Sequence, residues 1–323
     1  MKLETNPLRL AQGCEVFLNH CRVGKSLSPH SLRAYAIDLA EFQRYLGVDM
    51  EAQNVDRETL RGYLSYLMGP RRLSPASVKR RIACLKAFFR WLELEDRVPV
   101  TPFHRMDLRI RLPQRLPRGL SREEIAALLS AARRPFLHHS GSLSFDGCQH
   151  RPDRFNALTS LLALELLYAS AVRVSELCAL TAGDVLANDA NGLRVHGKGN
   201  RERWVPITDD LLKDQLRHYL TVRDAWQPTG YPPIKRLLIN SKGMPLTPTI
   251  IRKRLAALTR SAPLSRHVTP HMIRHTTATH LLQNGLDLRH TQRLLGHSSI
   301  STTEIYTAVS DRSLEEAMKR IQG

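Results

Sequence analysis

Cysteine is scarce in this chain, and its cysteines show no pairing pattern. The five are Cys14, Cys21, Cys84, Cys148 and Cys178. An odd number with no Cys-x-x-Cys spacing argues against a disulfide framework and against a zinc ribbon. We therefore expect thiols that stay reduced, as they do in the cytosol.

Long hydrophobic runs are also missing. The most apolar segment, residues 158–172, is too short to cross a bilayer and contains Glu165. The first residues carry Lys2, Glu4 and Arg9 and no apolar signal region. The sequence predicts a cytoplasmic protein without a membrane partner.

Acidic residues are few relative to basic ones. The 323-residue chain has 30 Asp and Glu against 48 Lys and Arg, a net charge of +18. Such a surplus favours a polyanionic partner, because each cation that neutralises a phosphate releases counterions. Charge alone leaves a nucleic-acid enzyme and a merely basic protein, such as a ribosome-associated one, both open. The length predicts two domains.

The first clear helix signal is at residues 28–47. Ser28 is placed as N-cap and Pro29 at the first helical position, and Gly47 ends the helix. The apolar residues recur every three or four positions and so share one buried face. They are Leu32, Tyr35, Leu39, Phe42 and Leu46.

A second helix begins in the same way at Ser74 and Pro75. Its apolar stripe consists of Val78, Ile82, Leu85, Phe89 and Leu92. Lys79, Lys86 and Arg90 line another face. A basic face opposite a buried one suits a helix that lies against DNA, although a solvated helix surface explains it equally well.

Four prolines interrupt residues 97–118, which indicates an extended interdomain connection. A capping box of Ser121 and Glu124 then opens a new helix. We place an N-terminal helical domain at residues 1–112 and a larger domain at residues 113–323.

A second irregular stretch covers residues 134–156. It contains His138, His139, Cys148 and His150. Their spacing matches no common zinc site, so a polar surface insertion is the better interpretation.

Four segments of the second domain carry chemically useful side chains. Arg173 lies on or beside a largely buried helix, and Glu176 comes three residues later. A buried guanidinium needs a partner, so a purely structural Arg–Glu pair also explains this spacing. Residues 193–207 alternate like two strands around a Gly-Lys-Gly-Asn turn, which puts Lys198 at the tip of a hairpin.

The third segment is a helix that includes His271, Arg274 and His275. The spacing of three lets His271 and Arg274 meet one phosphate. The spacing of four could hold a metal, but the glutamate of the His-Glu-x-x-His pattern is missing. We expect no metal here.

The fourth segment contains a helix that starts at Asp287 and stops at Gly296, which leaves His297 at the break. Ser301 and Glu304 form another capping box, and Tyr306 follows in the first turns of the next helix. Arginines, a lysine, histidines and a tyrosine together suffice to cleave a phosphodiester without metal. The cations stabilise the charged transition state, while a neighbouring acid protonates the departing oxygen.

These segments resemble the catalytic domain of tyrosine site-specific recombinases, the phage-integrase and Xer-like family. The matching positions, in the family's order, are Arg173, Lys198, His271, Arg274, His297 and Tyr306. The N-terminal helices resemble the family's SAM-like core-binding domain. The resemblance implies a mainly α fold with a small β-sheet or hairpin. It also implies a two-domain, C-shaped clamp with a mixed α/β catalytic domain.

The resemblance also implies a role for each matched residue. Arg173 and Arg274 would clamp the scissile phosphate, and Lys198 would protonate the 5′ oxygen. His271 would assist proton transfer. Glu176 fits the acidic position that supports the first arginine.

Two further roles follow from the same resemblance. His297 would hydrogen-bond the phosphate, and Tyr306 would attack it to form a 3′-phosphotyrosyl link and, later, a Holliday junction. No cofactor is implied. The implied partner is double-stranded DNA with inverted-repeat core sites, bound by a homotetramer or together with a related recombinase. An accessory DNA-binding protein remains open.

The chain departs from the family pattern in two places. Before Arg173 the family commonly has a glycine, whereas Ala171 and Val172 stand here. The insertion at residues 134–156 lengthens the chain relative to compact Xer-like members. It slightly favours a mobile-element recombinase over one that resolves replicon dimers. A catalytically silent DNA-binding protein of the same fold is the main alternative.

The last residues, 310–323, predict a short amphipathic helix with Leu314, Ala317 and Ile321 on one side. In the family such a tail docks on a neighbouring subunit. Packing within its own subunit is the alternative.

Overall fold

A computed structural model of the chain describes residues 8–47, 49–111, 119–138, 141–186, 190–197, 202–227 and 233–296. The chain divides into two compact units, residues 1–115 and 116–323. Each has its own hydrophobic core. The domain boundary predicted after residue 112 falls at residues that lie outside the described ranges.

Unit 1 contains four helices in its described part. They are α1 (Leu10–Val23), α2 (Pro29–Leu46), α3 (Arg57–Met68) and α4 (Pro75–Leu94). The side chains of Ser28 and Ser74 cap α2 and α4 as predicted, each accepting from a backbone N–H three residues on. Proline at the first position and a capping serine therefore set both starts.

The core of unit 1 is built from the apolar stripes that the sequence predicts. All five stripe residues of α4 are buried. On α2, Leu39 and Phe42 are fully buried, and the other three pack against the core from its edge. Phe103 and Ile110 of the predicted connection also pack on this core. Residues 103–110 of the predicted connection therefore belong to unit 1.

Buried ion pairs join α2 to α4. The Nε of Arg81 donates to Glu41 at 2.6 Å, and Arg71 donates to the other oxygen at 2.8 Å. Arg80 pairs with Asp38, whose side chain is fully buried. Burial raises the pKa of Asp38, whereas the hydrogen bonds from Arg81 and Arg71 outweigh burial at Glu41 and lower the pKa of that carboxyl. These pairs hold the helix that presents the basic face.

Unit 2 contains eight helices and one hairpin in its described part. The helices are α5 (Arg122–Arg133), α6 (Pro152–Ser170), α7 (Val174–Ala179), α8 (Gly183–Leu186), α9 (Asp210–Arg223), α10 (Pro248–Ser261), α11 (Pro270–Gln283) and α12 (Leu288–Leu295). The predicted capping box of Ser121 and Glu124 is present at α5. Asp287 caps α12 and Gly296 ends it in a left-handed conformation, both as predicted.

The predicted hairpin is confirmed. Strands β1 (Gly192–His196) and β2 (Glu202–Pro206) pair antiparallel, with Val195 opposite Arg203. The tip with Lys198 lies outside the described residues. The mainly helical fold with one small sheet therefore agrees with the fold expected from the sequence.

Helix α6 runs through the core of unit 2, and apolar residues on all its sides are buried. This explains the most apolar run in the sequence. Glu165 within it is also buried and accepts two hydrogen bonds from Arg133, at 2.6 and 2.9 Å. Burial nevertheless raises the pKa of Glu165.

The insertion at residues 134–156 is anchored in the core of unit 2, although most of its described residues are exposed or half-buried. Phe136 and Cys148 are buried in the core of unit 2. The indole N–H of Trp226 donates to the Cys148 carbonyl at 2.8 Å. The insertion is thus an integral part of this unit. No helix in the described ranges is long and apolar enough to cross a membrane.

The ion pairs between α2 and α4 give a stability prediction. Arg81 Nε also lies 3.9 Å from Asp38, so Arg81→Met leaves Glu41 and Asp38 with one partner fewer each. We expect a loss of roughly 2–3 kcal/mol, below that for a fully orphaned charge because Arg71 and Arg80 remain. Hydrogen exchange of the α2 and α4 amides in the full chain measures it.

The matched control is Arg61→Met, which breaks the exposed pair of Arg61 with Glu58 on α3. That pair contributes about 0–1 kcal/mol. Equal effects of the two substitutions would contradict a special contribution from the buried pairs.

Candidate active site

The first site element is the turn between α6 and α7. Helix α6 ends at Ala171, which has φ 50° and ψ 24°, a left-handed conformation in which glycine is preferred. The chain then becomes extended at Arg173, which immediately precedes α7. This reversal brings Arg173 out of a buried helix end, and its side chain is 38% exposed.

The buried carboxylate of Glu176 binds two arginines beside this turn. Glu176 accepts from the backbone N–H of Arg173 at 2.8 Å and from its Nη1 at 2.9 Å. It also accepts from Nη1 and Nη2 of Arg203, at 3.1 and 2.8 Å. Burial would raise the pKa of Glu176, but the hydrogen bonds from Arg203 and Arg173 outweigh it and lower the pKa. The carboxylate therefore stays charged between two guanidinium groups.

Arg274 joins this turn to the end of α12. It lies on α11, where the Thr269 side chain caps the helix start. Its Nη1 donates to the carbonyl of Ala171 at 2.6 Å, and its Nη2 donates to the carbonyl of Leu295 at 2.7 Å. The residue is only 4% exposed.

The C-terminus of α12 receives a second arginine. Arg203 Nε donates to the carbonyl of Leu294 at 2.9 Å. The last carbonyls of a helix lack intrahelical donors and lie at the negative end of its dipole, so cationic donors are favourable there. The last turn of α12, immediately before His297 in the sequence, therefore accepts hydrogen bonds from both Arg203 and Arg274.

A small apolar cluster lies between the same three elements. It contains Ala171, Ala278 and Leu295, all fully buried. Ala171 belongs to the α6–α7 turn, Ala278 to α11 and Leu295 to α12. Packing and hydrogen bonds therefore hold the same segments together.

The predicted site residues fall into two groups. Arg173, Glu176 and Arg274 lie in the connected network above. His271, in the first turn of α11, is exposed, whereas Arg274 one turn later is buried. Lys198, His297, Tyr306 and the predicted tail helix lie outside the described residues, so their roles stay predictions.

The basic face of α4 belongs to unit 1. Lys79, Lys86 and Arg90 are all exposed. The Lys86 ammonium lies 5.7 Å from the ring centre of Phe103. Across the described ranges no three His, Cys, Asp or Glu side chains come together as metal ligands would.

Arg203 is the residue that reading the sequence missed. It stands between Glu202 and Trp204, in a run that looks like ordinary exposed strand residues. A signal was present, because period-two alternation puts Arg203 on the same side as Val205, which is fully buried. An arginine at an inward position needs a partner.

The left-handed conformation of Ala171 gives a prediction of the free energy of unfolding for two substitutions. Ala171→Gly should change the free energy of unfolding by less than about 1 kcal/mol. It relieves roughly 1–2 kcal/mol of left-handed strain. It loses a buried methyl of about 0.8 kcal/mol and adds unfolded-state freedom of about 0.4–1 kcal/mol.

Ala171→Val serves as the contrasting variant. A β-branched side chain is strongly disfavoured in this conformation and has no space at a fully buried position. We expect a loss of more than about 2 kcal/mol. Thermal melting of the full chain compares the variants. A large loss in the glycine variant would mean that methyl packing dominates over strain.

Known proteins resemble the chain over both units. The model of the phage integrase family matches residues 146–313, and that of the phage integrase N-terminal SAM-like domain matches residues 14–96. The tyrosine recombinase XerC of Myxococcus xanthus is 36% identical over 316 residues, covering 94% of each chain. The tyrosine recombinase XerD of Rickettsia bellii is 32% identical over 313 residues, covering 94% of this chain and 95% of its own.

A solved structure has the same fold. It is the XerH site-specific recombinase bound to a palindromic difH substrate in a post-cleavage complex, at 23% identity and a TM-score of 0.72. The match covers 97% of this chain and 85% of that one. One family model covers more than half of the chain, and the other covers its N-terminal helices. XerC is 36% identical along nearly all of it. The chain therefore belongs to the phage integrase family of tyrosine recombinases.

Proposed function

We propose that the protein is a site-specific recombinase in which Tyr306 is the nucleophile. The phenol oxygen attacks the scissile phosphorus, and the bond to the 5′ oxygen breaks. The product is a 3′-phosphotyrosyl link and a free 5′ hydroxyl. Attack by the 5′ hydroxyl of a partner strand reverses the step and yields a Holliday junction. The phosphoester bond is conserved, so no external energy source is needed.

The proposed proton transfers use the other matched residues. A phenol has a pKa of about 10 in water, so it needs help to become a nucleophile at neutral pH. His271 assists removal of its proton. Lys198 supplies a proton to the departing 5′ oxygen, and His297 hydrogen-bonds a phosphate oxygen.

The connection between Arg173 and Arg274 is the observation that carries the proposal. Arg274 donates to the carbonyl two residues before Arg173 and to the last turn before His297. Residues that are far apart in sequence thus belong to one bonded network. Two guanidiniums near one phosphate stabilise the charge of a pentacoordinate transition state. A protein that only binds DNA has no need to build this arrangement.

The proposed partner is double-stranded DNA with inverted-repeat core sites. XerH was solved on a palindromic substrate. A palindrome presents the same half-site twice, so two copies occupy one site and four copies join two sites. We therefore propose a tetramer on DNA, made of this chain alone or of this chain with a related recombinase. An accessory protein would act on that assembly.

The biological setting is a separate question. The preference for a mobile element came from the insertion at residues 134–156, read as an added surface feature. Because this segment packs into the core, that support is lost. Resolution of replicon dimers and integration of a mobile element are therefore equal candidates for the same chemistry. A bacterial cytoplasm, where DNA is directly accessible, is the proposed location.

The nucleophile is tested by trapping the covalent link. A duplex with the core site, selected by the protein from a random-sequence pool and nicked beside the cleavage position, is incubated in parallel with and without EDTA. Wild type should form a 3′-linked adduct on a denaturing gel, and Tyr306→Phe should form none, because phenylalanine has no hydroxyl to attack the phosphorus.

Tyr66→Phe is the matched control, since it removes a phenol hydroxyl from unit 1. It should cleave like wild type. An adduct that survives Tyr306→Phe moves the nucleophile elsewhere. Good binding without any adduct favours the silent DNA-binding alternative, and loss of the adduct in EDTA contradicts metal-free chemistry.

The basic face of α4 is tested by salt dependence. Replacing Lys79, Lys86 and Arg90 by alanine should weaken DNA binding at 150 mM salt. The slope of log K against log salt should fall by up to about 2.7, since each phosphate contact contributes about 0.9. Fluorescence anisotropy at several salt concentrations measures it.

Arg61→Ala is the control, because Arg61 already pairs with Glu58. Its slope should stay near that of wild type. If the triple variant keeps the wild-type slope as well, the α4 face is a solvated surface and not a DNA contact.

A further inference from the structure

Arg203 makes contacts that the proposed chemistry does not yet use. It lies on β2, opposite Val195 of β1, with a side chain that is 12% exposed. Its three guanidinium nitrogens all donate. Nη1 and Nη2 bind the two oxygens of Glu176, and Nε binds the carbonyl of Leu294. One planar group thereby bridges three elements, β2, α7 and α12.

The backbone at the end of α12 is shaped around this guanidinium. Gly296 has φ 63°. A Cβ at this position would come within 3.0 Å of Arg203 Nη1. A side chain there would require the guanidinium to shift by a few tenths of an ångström. Conformation and close approach both call for glycine at the residue before His297.

Arginine suits this position in a way that lysine does not. Its donors lie in a fixed plane, so two can bind one carboxylate while a third reaches a carbonyl on another helix. A lysine ammonium keeps the charge, but it is a point donor and loses the fixed fork. The geometry thus depends on the shape of the group as well as on its charge.

We propose that Arg203 is a positioning residue for strand cleavage, which holds Glu176, and through it Arg173, in fixed relation to the end of α12. The inference rests on the proposed function. Arg203 need not touch the DNA for this role. Removing it should leave site binding intact and slow the chemical step.

A dependence on pH distinguishes this role from general support of the fold. Glu176 faces Arg173 from the start of its own helix and Arg203 from β2, while Arg274 from α11 binds the neighbouring Ala171 carbonyl. The Arg203 hydrogen bonds help to lower the pKa of Glu176 against the effect of burial. Without them burial dominates and the pKa rises. As the pH falls through the raised pKa, Glu176 is neutralised and Arg173 loses its charged support.

The experiment compares Arg203→Lys and Arg203→Met with wild type in the full chain. Arg194→Lys is the matched control, since Arg194 is an exposed arginine on the neighbouring strand β1. Three quantities are measured for each. They are the dissociation constant for the selected core site, the melting temperature, and the single-turnover rate of adduct formation at pH 6 and pH 8.

We expect Arg203→Lys to bind the site within about twofold of wild type and to cleave roughly 10- to 100-fold more slowly, the scale of an ångström-level misplacement. Arg203→Met should be slower still, with an additional loss at pH 6 compared with pH 8. Wild type and Arg194→Lys should show no such additional loss. If Arg203→Met does not fold, the test rests on Arg203→Lys, whose adduct should form more slowly while its affinity for the core site is unchanged.

The outcomes separate the two proposals. Wild type that forms no Tyr306-dependent adduct overturns the proposed function and this inference with it. Normal cleavage by wild type and by Arg203→Lys overturns the inference alone. The inference is also overturned if the slower cleavage is fully explained by weaker DNA binding. It is overturned as well if folded Arg203→Met is slowed equally at pH 6 and pH 8.

Discussion

The catalytic unit depends on one buried carboxylate shared by two guanidinium groups. Glu176 is 7% exposed and binds Arg173 and Arg203 at the same time. A charge this deeply buried is stable only when its partners are in place, and losing either one leaves an unfavourable arrangement. The contact therefore acts as a constraint. The turn that presents Arg173 and the strand that carries Arg203 have to form together.

The same constraint extends to the end of α12. This helix is eight residues long, too short to be stable on propensity alone. Its last turn is held from outside, by Arg203 at Leu294 and by Arg274 at Leu295. The placement of Arg173 and the local stability of α12 thus depend on one connected set of hydrogen bonds. A substitution that disturbs one of these arginines affects both the presentation of Arg173 and the segment that leads to His297.

Much of this arrangement could be predicted from the sequence, because helix starts and stops are local. Ser28, Ser74, Ser121 and Asp287 each cap a helix within one turn of the chain. Long-range burial was harder to predict. Arg203 lies between two exposed residues, and its partners are 27 residues before it and 91 after it. Phe136 and Cys148 are buried without any periodic pattern, so the insertion looked like a surface loop.

Ala171 illustrates how side-chain packing offsets backbone strain in this chain. A glycine at this position adopts the left-handed turn without strain, whereas alanine adopts it at a cost of about 1 kcal/mol or more. The methyl group packs against Ala278 and Leu295, on the two helices that Arg274 also joins. The gain from burying it is of similar size. At this turn the burial of the Ala171 methyl therefore offsets the backbone strain. The turn that precedes Arg173 is held by side-chain contacts as well as by hydrogen bonds.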